Sequence, residues 1–146
     1  MWQRIQTVFM ALIVITLLIS FVCPIWKLDA NVLTAFYFVK DNTAYQYFPY
    51  SLTAILGIAS ITIAVIQIRA FKNRLLQMKL GAFNSLLLAC TVAAAFYFGN
   101  SLVKTYQAGS FGLGIWLPGV AILCNFISNQ FIRRDERIVR DSDRIR

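Results

Sequence analysis

Four long runs without a charged residue constrain this chain more than any other feature of its sequence. They cover residues 5–26, 42–68, 80–103 and 105–132. A helix needs about 20 apolar residues to cross the hydrocarbon core of a bilayer, and each run reaches that length. Membrane β-strands alternate apolar and polar residues, whereas LIVITLLISFV and LTAILGIASITIAVI are continuously apolar. The runs therefore predict four transmembrane helices.

The composition agrees with a membrane protein. Hydrophobic residues make up 59% and charged residues 14% of the 146 residues, against roughly 45–50% and about 25% in soluble domains. We place the helices near residues 5–26, 49–68, 80–98 and 114–132, in a single domain of residues 1–146 with a cytoplasmic tail of residues 133–146. The expected fold class is all-α: four transmembrane helices as two hairpins, followed by a short charged C-terminal helix.

The first run resembles a signal peptide in form, because MWQRIQT precedes the apolar stretch VFMALIVITLL. A signal peptidase site requires small residues in an A-x-A-like pattern, and the segment SFVCP does not provide one. We therefore expect the segment to be retained as a permanent first helix.

Lysine and arginine are unevenly distributed between the two sides of the predicted membrane. If the N-terminus is cytoplasmic, that side holds 11 of the 14 basic residues and the outer side holds Lys27, Lys40 and Lys104. Basic residues favour the cytoplasmic side, so both termini are predicted to be cytoplasmic. The net charge of +8 then reflects topology. We expect the lipid bilayer as a partner and no DNA binding. Among nucleic acids, ribosomal RNA, and hence contact with the ribosome, is the alternative that the basic residues favour most.

Residues that carry catalysis or bind metals are scarce. The chain has no histidine, which removes imidazole bases and histidine metal ligands. Its three cysteines lie far apart without a C-x-x-C spacing, and all six acids fall in predicted loops or in the tail. A membrane-embedded ionisable group is the usual mark of a proton or ion pathway, and the predicted spans contain none. We expect no catalytic residue, no cofactor, no metal and no enzymatic activity.

Three asparagines are among the neutral polar residues of the predicted third and fourth helices. Asn84 lies early in the third helix. Asn125 and Asn129 lie in the fourth helix, and because they are four residues apart they are on the same face of it. An asparagine in lipid usually faces another helix and forms an interhelical hydrogen bond. These three residues predict a polar clasp between the two helices, with a polar ligand site as the alternative.

The first outer loop, KLDANVLTAFYFVKDNTAYQYFPY, is rich in aromatic residues. We expect it to lie along the membrane interface as a short strand pair or irregular cap, with a turn at residues 40–42. Its rings are typical of an aromatic belt, and a ligand-binding cap is the alternative.

The C-terminal segment RRDERIVRDSDRIR has ten charges in fourteen residues. Glu136 and Arg140, like Arg137 and Asp141, are spaced to pair on a helix. A topology signal requires only basic residues, and acids weaken attraction to anionic lipid. The mixed charges favour docking on a protein surface, with a solvated stub as the alternative. The predicted docking residues are Arg133, Arg134, Asp135, Glu136, Arg137, Arg140, Asp141, Asp143 and Arg144.

Three segments carry a resemblance to a known family. MWQRIQTVFM at the N-terminus, FKNRLLQMKLGAFNSLLL in the middle and NFISNQFIRRDERIVRDSDRIR at the C-terminus resemble a family of small four-helix inner-membrane proteins of the Bacteroidota, catalogued as domain of unknown function 4293. The resemblance implies a bacterial cytoplasmic membrane and a Gram-negative host. It implies no catalytic residue, cofactor or substrate.

The expected function is a non-catalytic accessory or assembly subunit of a larger inner-membrane complex, such as a protein translocation or respiratory complex. Its partners would be other integral membrane proteins. The alternatives are a small homo-oligomeric carrier or lipid-handling protein, whose cavity Asn84, Asn125 or Asn129 would line, and an intramembrane enzyme, for which no nucleophile is found.

Overall fold

The computed structural model describes the backbone of residues 2–71 and 73–144 and the side chains of residues 5–71 and 73–140. Four long helices form the body of the molecule: α1 (Trp2–Val22), α2 (Leu52–Arg69), α3 (Arg74–Tyr106) and α4 (Leu117–Arg144). Within the described residues, these four are long and apolar enough to cross a membrane. α1 packs against α2 and α4, and α3 packs against the same two helices, so the four form a closed ring.

The helix ends follow local sequence signals. α1 ends at Val22, two residues before Pro24, because proline disfavours a helical conformation in the residue that precedes it. α3 begins at Arg74, where the Asn73 side chain accepts a hydrogen bond from the Leu76 N–H at 3.1 Å. Its 33 residues span about 50 Å, so α3 is longer than the roughly 30 Å hydrocarbon core. α4 continues to Arg144 as one helix, rather than ending near residue 132 before a separate charged helix.

A five-stranded antiparallel sheet covers one end of the bundle, which corrects the all-α expectation. Its strands are β1 (Trp26–Leu28), β2 (Asn31–Leu33), β3 (Phe38–Lys40), β4 (Ala44–Gln46) and β5 (Ser110–Phe111), in the order β4-β3-β2-β1-β5. The first four come from the α1–α2 connection and β5 from the α3–α4 connection. Strands of two or three residues leave no measurable alternation in the sequence, so the sequence predicts only a short strand pair or an irregular cap there.

The tight turns between the strands contain residues with positive φ angles. Asp29, between β1 and β2, and Asp41 and Asn42, between β3 and β4, adopt positive φ angles of 47°, 51° and 55°. Aspartate and asparagine tolerate this left-handed region better than most residues. The second of these turns lies within the predicted 40–42 segment. The sheet is tied to the bundle by the Ala54 N–H, which donates to the Ala35 carbonyl at 3.1 Å.

Aromatic residues fill the space between the sheet and the helices. Trp26 is fully buried, with its ring centroid 6.2 Å from Phe38 and 5.8 Å from Tyr106. Tyr50 contacts Phe38 and Phe98, and its burial, together with the neighbouring Tyr106 phenol, raises the pKa of Tyr50. Trp26 is therefore a core residue. Tyr45, in β4, and Tyr47 and Phe48, which follow it, are exposed.

Buried residues in the four helices recur at alternating steps of three and four. In α3 this stripe is Gln77, Gly81, Asn84, Leu88, Thr91, Ala95, Phe98 and Leu102, and Gly99 is buried beside it. In α2 it is Thr53, Gly57, Ser60, Ala64 and Gln67, with Ala54 buried beside it; in α1, Gln6, Met10, Ile13, Leu17 and Ser20; in α4, Pro118, Ala121, Asn125, Ser128 and Ile132. A period of 3.5 residues keeps one stripe of each helix on the bundle axis and is typical of left-handed helical packing. We call these stripes together the seam.

Candidate functional site

The end of the bundle opposite the sheet, which we call the terminal end, carries most of the polar residues of the seam. The start of α1, the α2–α3 turn and the last third of α4 meet there. The Gln6 amide donates to the Asp135 carboxylate at 2.9 Å. The Gln77 amide lies near the Met10 sulfur at 3.9 Å. These contacts join α1 to both α4 and α3.

Asn84 bonds to α2, whereas the sequence predicted a clasp with α4. Its side-chain oxygen accepts a hydrogen bond from the Ser60 hydroxyl at 2.6 Å, and both residues are fully buried. In hydrocarbon such a bond contributes on the order of 0.6–2 kcal/mol to helix association. Asn84 therefore fixes the register of α2 against α3.

Asn125 makes the contact between α3 and α4. Its amide donates to the Gly81 carbonyl at 2.9 Å and to the Ser85 hydroxyl at 2.7 Å. Gly81 has no side chain, and a Cβ there would overlap the side-chain amide of Asn129. The small residue lets α4 approach closely enough for these bonds to form.

Gln67 and Gln77 form a reciprocal pair that sequence reasoning did not place in the core. The Gln67 amide donates to the Gln77 carbonyl at 3.3 Å, and the Gln77 amide donates to the Gln67 carbonyl at 3.2 Å. The Gln67 amide also lies 3.4 Å from the Asn129 oxygen. Asn129 thus contacts α2. We call the buried amides and hydroxyls of the seam near these three asparagines the polar layer. Within it, the three asparagines do not bond to one another in the described contacts. The seven-residue spacing from Ser60 to Gln67 and from Gln77 to Asn84 is the signal that would have identified the pair.

The polar layer is neutral and only partly satisfied. Several buried atoms lack a hydrogen-bond partner among the described residues: Gln67 Oε1, Asn84 Nδ2, Asn125 Oδ1 and Ser128 Oγ. Leaving a polar group unpaired in an apolar environment costs on the order of 1–3 kcal/mol. In the described part of the chain, no three histidine, cysteine or acidic side chains lie together as a metal site would require.

A half-open cavity of about 430 Å³ lies at the terminal end. Its apolar walls come from Ile68, Phe71 and Ile132, and its polar walls include Arg69, Arg74 and Asp135. The remaining lining residues are Gln6, Thr7 and Gln77. None of the three predicted asparagines lines it, although Asn129 lines a smaller depression between α3 and α4 with Gln130 and Arg133.

The predicted docking residues continue α4 beyond the bundle. Asp135 is held by Gln6, and Arg140 lies 3.8 Å from Glu136, the i,i+4 pair expected from the sequence. Arg133, Arg134, Arg137 and Arg140 are exposed. The helical backbone includes Asp141, Asp143 and Arg144, but their side chains lie outside the described residues, and so does the expected pairing of Arg137 with Asp141. Among the apolar residues of this part of α4, Phe131 stacks on Phe9 with ring centroids 5.9 Å apart, and Ile138 is half exposed.

Comparison with known proteins gives a single family. Residues 2–145 match the family described as a domain of unknown function, DUF4293. No curated protein and no solved structure matches the chain.

Proposed function

The chain belongs to the DUF4293 family, and from this premise we propose that it is a non-catalytic accessory or assembly subunit of a larger membrane protein complex. The complex lies in the inner membrane of a bacterium, in a Bacteroidota host, and both termini face the cytoplasm. The chain docks on other integral membrane proteins through its helices and through the extension of α4, residues 136–144. A protein translocation or respiratory complex is the kind of assembly we have in mind.

The extension of α4 carries this proposal. The bundle holds α4 through Ile132, which is buried, and through Asp135, which bonds to Gln6. Beyond that point the helix continues to Arg144. A helix this short is marginal in water on its own, and an exposed i,i+4 pair such as Glu136 with Arg140 adds only about 0.3–0.5 kcal/mol. A second protein surface would supply the missing stabilisation.

The chemistry of the extension favours a protein surface over lipid. Ile138 is 54% exposed and lies beside Arg137 on a helix that also carries acids. Anionic headgroups would attract the arginines and repel Glu136, Asp141 and Asp143, whereas a protein of mixed charge can pair with both signs.

The test is co-purification of the tagged full chain from native membranes in a mild detergent, with mass spectrometry of the associated proteins. We compare the native chain with an Arg137→Glu/Arg140→Glu variant. Lys104→Glu is the matched control, because Lys104 is exposed and lies near the sheet end of α3. We expect larger membrane proteins with the native chain and with Lys104→Glu, and their loss with the double variant.

Two results would contradict the proposal. One is a chain that is isolated alone or only with copies of itself; the other is a partner set that the double variant retains. Thermal unfolding in detergent checks that the double variant still folds. We expect it to fold, because the described interactions include none between either arginine and another helix. The alternative of a carrier or lipid-handling protein has one supporting observation, the cavity at the terminal end.

A further inference from the structure

Arg74 is the unusual residue of the cavity at the terminal end. It is the first residue of α3 and lines the cavity, and its Nη1 atom is buried without a hydrogen-bond partner among the described residues. A guanidinium has five N–H donors and no acceptor. Leaving a charged donor buried and unpaired costs more than the 1–3 kcal/mol typical of a neutral group. The site therefore has an unused donor for an anion.

The surroundings of Arg74 favour a negative charge. Arg69, at the end of α2, lines the same cavity. The start of α3 contributes the positive end of a helix dipole. Asp135 opposes these groups, but its Oδ2 atom already accepts a hydrogen bond from Gln6. The lining of the cavity thus has two positive side chains, Arg69 and Arg74, and one negative side chain, Asp135, which already accepts a hydrogen bond from Gln6.

Three of the remaining lining residues are apolar, and Gln6, Thr7 and Gln77 complete the lining. Ile68, Phe71 and Ile132 form a wall that a free inorganic anion would leave uncovered. A cavity of about 430 Å³ is within the range of roughly 300–1,000 Å³ of small-molecule sites. Because α2 ends at Arg69 and α3 begins at Arg74, the cavity lies where the spans leave the hydrocarbon core, which is the level of lipid headgroups.

We propose that this cavity binds a phosphate-bearing amphiphile. Arg74 and Arg69 hold the phosphate oxygens, since the forked guanidinium matches phosphate geometry. The apolar wall of Ile68, Phe71 and Ile132 contacts the adjoining hydrocarbon. The natural source of such a group is a membrane phospholipid, and free phosphate is the other source of the same headgroup chemistry.

The experiment measures lipid binding to the purified full chain in detergent by native mass spectrometry, with phosphatidylglycerol as the probe. Diacylglycerol with the same acyl chains lacks the phosphate and serves as the lipid control. A hydrogen bond to a charged group contributes about 1.5–3 kcal/mol, so Arg74→Gln should weaken phosphatidylglycerol binding by roughly 10- to 100-fold. Arg74→Lys should restore part of the affinity, because it keeps the charge and loses the fork.

Lys79→Gln is the matched protein control, because Lys79 is exposed on the same helix as Arg74 and does not line the cavity. We expect its phosphatidylglycerol affinity to equal that of the native chain. Equal affinity of the Arg74→Gln variant, or equal binding of diacylglycerol, would overturn the proposal. If millimolar inorganic phosphate saturates the cavity and its binding depends on Arg74 in the same way, the cavity is a phosphate site. The proposal that its ligand is a phospholipid is then overturned.

Folding of the Arg74→Gln variant is checked by circular dichroism and thermal unfolding without added lipid. If this variant does not fold, Arg69→Gln replaces it, since Arg69 is exposed and lines the same cavity. An unchanged affinity in that variant would equally overturn the proposal. The binding assay contains no partner protein, so its outcome is independent of co-purification.

Discussion

The terminal end and the sheet end of the bundle bury opposite kinds of side chain. At the terminal end the buried residues include Gln67, Gln77, Asn84 and Asn125, while large apolar residues on the same helices face outward. At the sheet end the buried residues are aromatic and aliphatic, with Trp26 at the centre. The buried side chains are thus more polar towards the terminal end, where Met10 and Ile132 are also buried, and more aromatic at the sheet end.

We attribute the difference to where the residues lie along the chain: the buried amides belong to the candidate spans, whereas the strands belong to the connections between them. In hydrocarbon, burying an apolar side chain gains little, so helices associate through close packing and hydrogen bonds between small and polar residues. In water, removing apolar surface is the main driving force. The strands belong to the connections between the candidate spans, and the sheet packs on an apolar core as in a soluble protein. The two ends should therefore respond differently to the same kind of substitution.

The largest effect is expected at the sheet end, for Trp26→Ala. Removing a fully buried tryptophan costs about 3–5 kcal/mol of unfolding free energy, because it removes apolar contacts and leaves a cavity. Trp116→Ala is the control, since Trp116 is 65% exposed at the same end and should change stability by less than about 0.5 kcal/mol. Denaturant unfolding in detergent measures both. Equal losses would show that the sheet end does not have an apolar core.

An intermediate effect is expected in the seam, for Gly81→Ala. The added methyl group overlaps the Asn129 amide and separates α3 from α4, with an overpacking cost of about 1–3 kcal/mol. Gly119→Ala is the matched control, because nothing lies within 4 Å of a Cβ at Gly119. There the substitution should leave stability unchanged or raise it by up to about 1 kcal/mol through helix propensity. The same unfolding assay decides, and a neutral Gly81→Ala variant would refute close packing at this point.

The smallest effect is expected for a single hydrogen bond of the polar layer. A double-mutant cycle with Ser60→Ala and Asn84→Ala should give a coupling energy of about 0.6 kcal/mol, and at most about 1.7, because the membrane-embedded unfolded state also offers partners. A parallel cycle pairs Ser60→Ala with Asn125→Ala, whose side chains share no described hydrogen bond, and should give about zero. Equal coupling in both cycles would contradict the assignment of the Ser60–Asn84 bond.

The four spans could be predicted from the sequence because the length of a charge-free run maps directly onto membrane thickness. The sheet could not, since strands as short as Ser110–Phe111 have no periodicity and depend on β1, which lies far away in sequence. The importance of Asn84 and Asn125 was predictable because amides are rare in spans. Their partners were not, because they depend on how the helices are rotated about their axes. The cavity depends on the spacing of helix ends, which no local pattern encodes.

The pairing of β1 with β5 has a consequence for the order of assembly during synthesis. Trp26 pairs with Phe111, and Lys27 pairs with Ser110. The first four strands can pair once α1 and α2 are in place, but the outer edge of β1 stays open until residues 110–111 arrive. An open edge is a template for incorrect strand pairing. Residues 110–111 follow α3 and precede α4, so completion of the sheet requires α3 to have returned the chain to the end of the bundle where β1 lies.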